Sequence, residues 1–469
     1  MRTAELLAAA VLLAGLSAQA ATITIINRND PGVGFNDPTP AAPVGGNSGT
    51  TLGQQRLIAF EYAASVWGAT LTSSVPIRVA ASFVPLTCTA TTATLGSAGA
   101  NDIYSDFPNA PRPGTWYPAA LASKLAGIDQ SAADAPHIVA RFNARLGLFD
   151  DCMPKDGFYL GIDGQAGNRI DLVTVLLHEM AHGLGFQTFT NDQTGKRANE
   201  LPSVWDHYLM DNRANKSWAQ MTDGERSASA VSGAGLSWNG ANVTGAVPAL
   251  LSPMSQLIIA GPDAGPAAGP MAVGDAGFGP PLSNKAVIGA LMPVVDAADG
   301  TGLACGALDD VNRRAVRRNV ALVDRGTCAF VDKARNLQAA GAIAMVVADN
   351  APGDVSDLGG ADPTITIPAV RVTQESGALL KAALAKKTAE GSGVTASLGV
   401  DPTRLAGTDN AGRIRMYTPT EYSPGSTVSH FSTDAKRNQL MEPSISADLS
   451  HSVTTPIDLT YSLLKDIGW

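Results

Sequence analysis

The strongest constraint on this chain is the run His178-Glu179-Met180-Ala181-His182, which lies inside an apolar segment. The apolar periodicity predicts a helix from about Ile170 to Leu184, and residues four apart on a helix share a face. Both imidazoles can therefore bind one ion, and zinc accepts imidazole nitrogens at about 2.0–2.1 Å. Glu179 follows the first ligand, where its carboxylate can reach a water on the metal. The pattern predicts a zinc helix with Glu179 as the general base.

A zinc ion that catalyses hydrolysis keeps three protein ligands and one open position. Gly185 follows the second histidine and allows the chain to turn after the helix. One candidate for the third ligand is His430, which Leu440-Met441-Glu442-Pro443 follows. The alternative third ligands that the sequence leaves open are His207, Asp206 and His451.

These two segments, His178 to Phe186 and His430 to Pro443, resemble the leishmanolysin branch of the metzincin proteases. Most metzincins carry the third histidine three residues after the glycine, where this chain has Thr188. In the leishmanolysin branch that histidine is displaced downstream by an inserted segment, and a methionine turn follows it beneath the metal. The resemblance implies an α+β fold with a metzincin-like catalytic domain, a mixed sheet and an active-site helix. It also implies the ligands His178, His182 and His430, a methionine turn at Met441, and protein or peptide substrates.

A second resemblance covers Val323 to Ala342, which contains Arg325-Gly326-Thr327-Cys328-Ala329-Phe330 and ends in Ala340-Gly341-Ala342. A strand, an Arg-Gly-x-Cys-x-Phe turn and a helix running into Ala-Gly-Ala are typical of the protease-associated (PA) domain. The resemblance implies a non-catalytic α/β module that recruits substrate or a partner protein, or gates a cleft. The alternative is an insertion that only adds stability. In either case the module accounts for the long separation between His182 and His430.

Changes in composition along the chain suggest four segments. We assign a signal peptide to residues 1–20, the first part of the catalytic domain to 21–251, the PA domain to 252–400 and the last part of the catalytic domain to 401–469.

Four cysteines allow three disulfide pairings. The pairs Cys88–Cys152 and Cys305–Cys328 are favoured, because each pair then lies within one domain.

The N-terminus has the pattern of an export signal: Arg2, an apolar stretch from Leu6 to Leu16, and Ala18-Gln19-Ala20 before the cleavage point. A buried N-terminal helix is the alternative. No later apolar run is long enough to span a bilayer, so no membrane insertion is expected. A net charge of −9 disfavours nucleic acid as a partner. We expect a secreted protein, with the periplasm as the other location.

Together these features predict a secreted zinc endopeptidase with one catalytic Zn²⁺. One alternative is a secreted PA-domain binding protein with an inactive zinc site, although a purely structural site has no need for Glu179. Another is a zinc amidase acting on cell-wall peptides, which the helix pattern alone does not distinguish from a protease. A Ca²⁺ site is supported only by the adjacent carboxylates of Asp150-Asp151.

Overall fold

The computed structural model describes residues 19–155, 157–295, 302–353, 355–388, 391–446 and 448–469. The assigned signal peptide lies outside the described residues except for its last two positions. The chain divides into two compact units. The first unit contains the described residues up to Leu251 together with Gly407–Trp469, and the second contains Ser252–Ala406. Mixed helices and strands confirm the α+β class.

Short strands and helices alternate in the first unit up to Leu251. The strands are β1 (Ile23–Asn27), β2 (Ile77–Val84), β3 (Gly96–Ala100), β4 (Ile103–Tyr104), β5 (Tyr117–Pro118), β6 (Ile138–Asn143), β7 (Phe158–Tyr159), β8 (Ile170–Asp171), β9 (Leu209–Asp211), β10 (Lys216–Ser217) and β11 (Leu236–Trp238). The helices are α1 (Leu52–Thr70), α2 (Ala119–Ala126), α3 (Leu172–Leu184), α4 (Asp223–Ala230) and α5 (Ala241–Ala246). Short 3₁₀ helices occupy Gly34–Asn36, Ala198–Glu200, Trp205–His207, Trp218–Gln220 and Val247–Ala249.

The main sheet of the first unit has the strand order β1-β2-β6-β3. Strands β1, β2 and β6 are parallel, whereas β3 runs antiparallel to β6 at one edge. Helix α3 packs against both α1 and β3. The indole Nε1 of Trp67 on α1 donates a hydrogen bond of 3.1 Å to the carbonyl of Leu177 on α3. Helix α3 is therefore held between a long helix and the edge strand.

A side-chain cap, a strand pairing and a glycine turn set the two ends of α3. The side chain of Asp171 accepts a hydrogen bond of 2.8 Å from the Thr174 amide, which caps the helix. The helix begins at Leu172 and not at Ile170, because residues 170 and 171 pair with β7 as strand β8. At the other end Gly185 has φ of 121°, which favours glycine, and a Cβ there would lie 2.9 Å from Ile467 Cδ1.

The second unit is built around one sheet with the order β13-β12-β19-β15-β16-β17-β18-β14. Its strands are β12 (Pro253–Ala260), β13 (Gly269–Ala272), β14 (Gly274–Asp275), β15 (Val287–Pro293), β16 (Val320–Asp324), β17 (Ala344–Ala348), β18 (Ala369–Val372) and β19 (Thr395–Leu405). Its helices are α6 (Asp310–Val316), α7 (Phe330–Ala339) and α8 (Gln374–Ala383), with 3₁₀ helices at Gly265–Ala267 and Leu384–Lys386. The chain then returns to the first unit and ends in α9 (Thr460–Ile467).

Strands β15 to β18 are parallel, and their buried residues alternate between two apolar clusters. A parallel sheet covered on both faces is typical of an α/β module with its own core. Because β19 continues to Leu405, this unit ends at Ala406 and not at residue 400 as the sequence suggested. Disulfides join Cys88 to Cys152 in the first unit and Cys305 to Cys328 in the second, as predicted.

The two ends of the second unit meet. The Ala406 amide donates a hydrogen bond of 2.9 Å to the carbonyl of Ser252, and Leu405 pairs with Pro253. We therefore expect a variant in which a short Gly-Ser linker replaces 252–406 to fold and bind metal as the full chain does. Circular dichroism and metal analysis would check this. An aggregated or metal-free deletion protein would show that the first unit depends on the second.

Candidate metal centre

The structure brings the three predicted ligands together. The Nε2 atom of His178 lies 3.2 Å from Nε2 of His182 and 3.2 Å from Nε2 of His430. His178 and His182 lie on α3, whereas His430 is 252 positions from His178 in the sequence. Within the described residues these three side chains form a group able to hold a metal ion.

The alternative ligands have other contacts. His207 lies against the hydroxyl of Thr115, with its Nε2 3.1 Å from Oγ1, and His451 pairs through Nε2 with Oδ1 of Asp171 at 3.0 Å. Asp206 accepts a hydrogen bond of 2.8 Å from the hydroxyl of Thr188. These contacts account for the side chains without a metal.

The hydrogen bonds of the three imidazoles direct their lone pairs toward one point. Each Nδ1 lies 2.7–2.8 Å from a backbone carbonyl oxygen, those of Leu440, Phe186 and Ser426 for His178, His182 and His430 respectively. A carbonyl can only accept, so each Nδ1 carries the proton and each Nε2 presents a lone pair. Three lone pairs facing one another repel unless a cation lies between them. Tetrahedral zinc separates its nitrogen ligands by about 3.3 Å, so the site fits this ion.

Burial keeps these histidines in the form that binds metal. It lowers the pKa of His178 to about 4 and that of His182 to about 3. Burial also lowers the pKa of His430 well below its ordinary value. All three imidazoles are consequently neutral at physiological pH, and a metal does not have to displace protons from Nε2.

Glu179 lies beside the three histidines in the same cleft. Burial raises the pKa of its carboxyl group to about 8, and a hydrogen bond from the backbone of Ala98 on β3 opposes that shift. A Cβ atom at Gly96 would lie 3.1 Å from Cγ of Glu179, so a glycine here leaves room for the carboxylate. Edge strand β3 thus forms one wall of the space around Glu179.

The cleft has a volume of about 1700 Å³, and its lining includes the three histidines and Glu179. Its lining includes the segments from Thr91 to Ala98 and from Glu442 to Ser446. Tyr62, His451, Pro424 and Gly425 also line it. This volume exceeds the roughly 300–1000 Å³ of pockets that bind drug-sized ligands, so the cleft has room for a longer chain.

Met441 lies in a buried turn, Gln439–Glu442, that contacts the segments of two histidines. The Leu440 carbonyl accepts the hydrogen bond from His178, and the Met441 carbonyl accepts one of 2.8 Å from the Phe431 amide, next to His430. Sequence analysis singled out Met441 but assigned no role to Leu440 or Asp458. Asp458 accepts a hydrogen bond from the Leu440 amide. No local sequence pattern marks either residue.

Comparison with known proteins identifies the second unit. The PA domain family model matches residues 289–380, so this part of the chain is a PA domain. The chain is 40% identical over 87 residues to ER degradation-enhancing alpha-mannosidase-like protein 3 of Xenopus laevis, covering 19% of this chain and 9% of that protein. It is 38% identical over 79 residues to minor extracellular protease Vpr of Bacillus subtilis (strain 168), covering 17% and 9%. Each match spans about a tenth of the relative's length.

Two solved structures share partial similarity with the chain. An aminopeptidase from Aneurinibacillus sp. strain AM-1 matches with a TM-score of 0.24 and 26% identity over 32% of this chain and 31% of that one. BSAP, a zinc aminopeptidase from Bacillus subtilis, matches with a TM-score of 0.22 and 17% identity over 34% and 36%. In the part of the chain that the structure describes, no helix has the length and apolarity needed to cross a membrane.

The site predicts different effects for two histidine substitutions. We expect His430→Ala to weaken zinc binding by more than the roughly 10–100-fold typical of residues outside the ligand shell, because it removes a ligand. His207→Ala is the matched control, since His207 contacts Thr115 and not the metal site. Competition with a chelator, followed by metal analysis, measures both. Equal zinc affinity in the two variants would exclude His430 as a ligand.

Proposed function

We propose that the chain is an exported zinc endopeptidase with a metzincin-like catalytic unit of the leishmanolysin type. The observation that carries this proposal is the convergence of three Nε2 atoms beside Glu179 in an open cleft. His178, His182 and His430 would hold the ion. Bound zinc supplies Lewis-acid activation of water and of the scissile carbonyl.

Glu179 supplies the proton transfer. Its carboxylate accepts a proton from the attacking water and then donates that proton to the nitrogen of the leaving amine. Burial raises the pKa of the Glu179 carboxyl group to about 8 in the metal-free protein. The positive charge of a bound zinc ion would lower that pKa and favour the ionised form that a base requires. The Ala98 amide orients the carboxylate, so the base is held by the same strand that borders the cleft.

Substrate would bind along β3. This strand ends the sheet order β1-β2-β6-β3, and its residues Gly96, Ser97 and Ala98 line the cleft. An extended peptide can add to such an edge through backbone hydrogen bonds. Small side chains allow its backbone to approach closely. The cleft, at about 1700 Å³, is larger than a pocket for a small ligand, so it has room for several residues of a peptide, which supports cleavage within a chain.

The leishmanolysin-type assignment rests on the separation of the ligands and on the methionine turn. Thr188, at the position of the third histidine in most metzincins, donates its hydroxyl hydrogen bond to Asp206. His430 fills the ligand role instead, and Met441 lies in the turn whose Leu440 carbonyl accepts from His178. These contacts support the assignment. Two disulfides support export to an oxidising compartment.

An inactive zinc-binding protein is the main alternative. A structural zinc site closes with a fourth protein ligand, whereas the group found within the described residues has three. The position of Glu179 in the cleft also favours catalysis, since a binding protein gains nothing from burying an acid beside the metal. In the proposed protease the PA domain recruits protein substrates or a partner.

Glu179→Gln separates catalysis from metal binding. Glutamine preserves the size of the side chain but cannot accept the water proton, so kcat/KM should fall at least about 100-fold. Zinc content should not change, because Glu179 is not a ligand. Peptidase assays and metal analysis on the same preparation test this. A fully active Glu179→Gln enzyme would rule out the assigned base.

Blocked peptides distinguish internal cleavage from removal of terminal residues. We expect wild-type protein to cleave a fluorescence-quenched peptide that is N-acetylated and C-amidated, since the cleft of about 1700 Å³ has room for several peptide residues. Mass spectrometry should find two internal fragments, and a chelator should abolish them. Release of single residues from free N-termini, with blocked peptides intact, would instead indicate an aminopeptidase.

A further inference from the structure

We propose that Asp458 is a positioning residue that holds His178 in its metal-binding orientation by fixing the turn Gln439–Glu442. The inference rests on the zinc site of the proposed function, but it concerns metal binding and not peptide hydrolysis. Asp458 touches neither the three Nε2 atoms nor Glu179 in any hydrogen bond of the described residues. It acts through the backbone of Leu440.

The three ligands differ in how their Nδ1 acceptors are supplied. His182 donates to Phe186 and His430 to Ser426, each only four positions away in the sequence. Local backbone geometry therefore orients these two rings. His178 donates to Leu440, which is 262 positions away. Its orientation depends on a segment that must be brought to α3 and held there by tertiary contacts.

Asp458 holds that segment. Its Oδ2 accepts a hydrogen bond of 2.7 Å from the Leu440 amide, and its Oδ1 accepts one of 2.7 Å from the Thr460 amide at the start of α9. Leu440 is thus fixed at its N–H by Asp458 and presents its C=O to His178. The Asp458 residue is only 3% exposed, so water does not compete for these bonds.

Further bonds make the turn a single unit with the beginning of α9. The Leu459 amide donates to Oε1 of Gln439 at 3.0 Å, and the Gln439 amide donates to Oε1 of Glu442 at 2.8 Å. The Met441 carbonyl accepts from the Phe431 amide, so the same turn also fixes the residue beside His430. Loss of the Asp458 contact would therefore loosen His178 through Leu440, and it would loosen the segment of His430 through the Met441 carbonyl.

The chemistry of the position favours an aspartate. Each carboxylate oxygen accepts one backbone N–H, and bonds to an ionised acceptor are stronger than neutral ones. Asparagine has one oxygen for two N–H groups, and its amide N–H would face a donor. The weakened turn should leave Leu440, and with it the imidazole of His178, less firmly oriented. Residues that support a ligand in this way typically contribute 10–100-fold to metal affinity.

The test compares Asp458→Asn with Asp466→Asn in the full-length protein. Asp466 is a suitable control because it is buried in α9 and also accepts backbone and side-chain bonds, from the Asn242 amide at 2.7 Å and from Trp238 Nε1 at 3.0 Å. Its partners do not include the Gln439–Glu442 turn. Both variants should lower the thermal midpoint. Only Asp458→Asn should weaken zinc binding, by roughly 10–100-fold, in competition with a chromophoric chelator.

Two readouts keep the result independent of stability and of activity. The visible spectrum of the Co²⁺-loaded protein reports ligand geometry, and we expect it to change in Asp458→Asn but not in Asp466→Asn. Asp458→Ser, which shortens the side chain and retains one acceptor oxygen, should shift affinity and spectrum in the same direction. Wild-type zinc affinity and spectrum in folded Asp458 variants, or equal losses in Asp466→Asn, would overturn the proposal. An inactive wild type that binds zinc would contradict only the proposed protease.

Discussion

The rest of the first unit depends on three neutral imidazoles, in which Nε2 of His178 lies 3.2 Å from Nε2 of His182 and 3.2 Å from Nε2 of His430. Without a cation the lone pairs repel, and each ring has lost its hydration on burial. The protein offsets this by donating every Nδ1–H to a backbone carbonyl, which fixes the tautomer and the plane of each ring. Helix α3 leads directly into the segment that carries the Phe186 carbonyl, and the turn Gln439–Glu442, which Asp458 joins to the start of α9, presents the Leu440 carbonyl.

Much of the local structure was predictable from the sequence. Apolar spacing predicts the end of helix α3 at Leu184, where the structure has it. The helix bearing His178 and His182 was predictable because a four-residue spacing is a property of one helix. The disulfides followed from the division of the chain into domains. Each of these features depends on neighbouring residues or on broad composition.

The parts that could not be predicted depend on packing between distant segments. That β3 lies at the edge of the sheet beside Glu179 follows from strand order, which periodicity does not encode. The start of α3 at Leu172 is set by the pairing of β8 with β7. The hydrogen bonds that connect Asp458 to His178 pass through the backbone N–H and C=O of Leu440. Every residue type has these backbone groups, so the sequence does not mark the residue that provides them. Such supporting interactions are visible only in coordinates.

The separation of His182 from His430 imposes little geometric cost. The free energy of closing a flexible loop rises by only about 0.6 kcal/mol for each doubling of its length. Here the cost is smaller still, because the intervening PA-containing unit has its own apolar clusters and its ends are joined by the Ala406–Ser252 hydrogen bond. For the first unit, the inserted unit therefore acts as a short connection and not as a long open loop. The third ligand can lie far from the zinc helix in the sequence, provided that the turn that accepts the His178 hydrogen bond is also brought back to that helix.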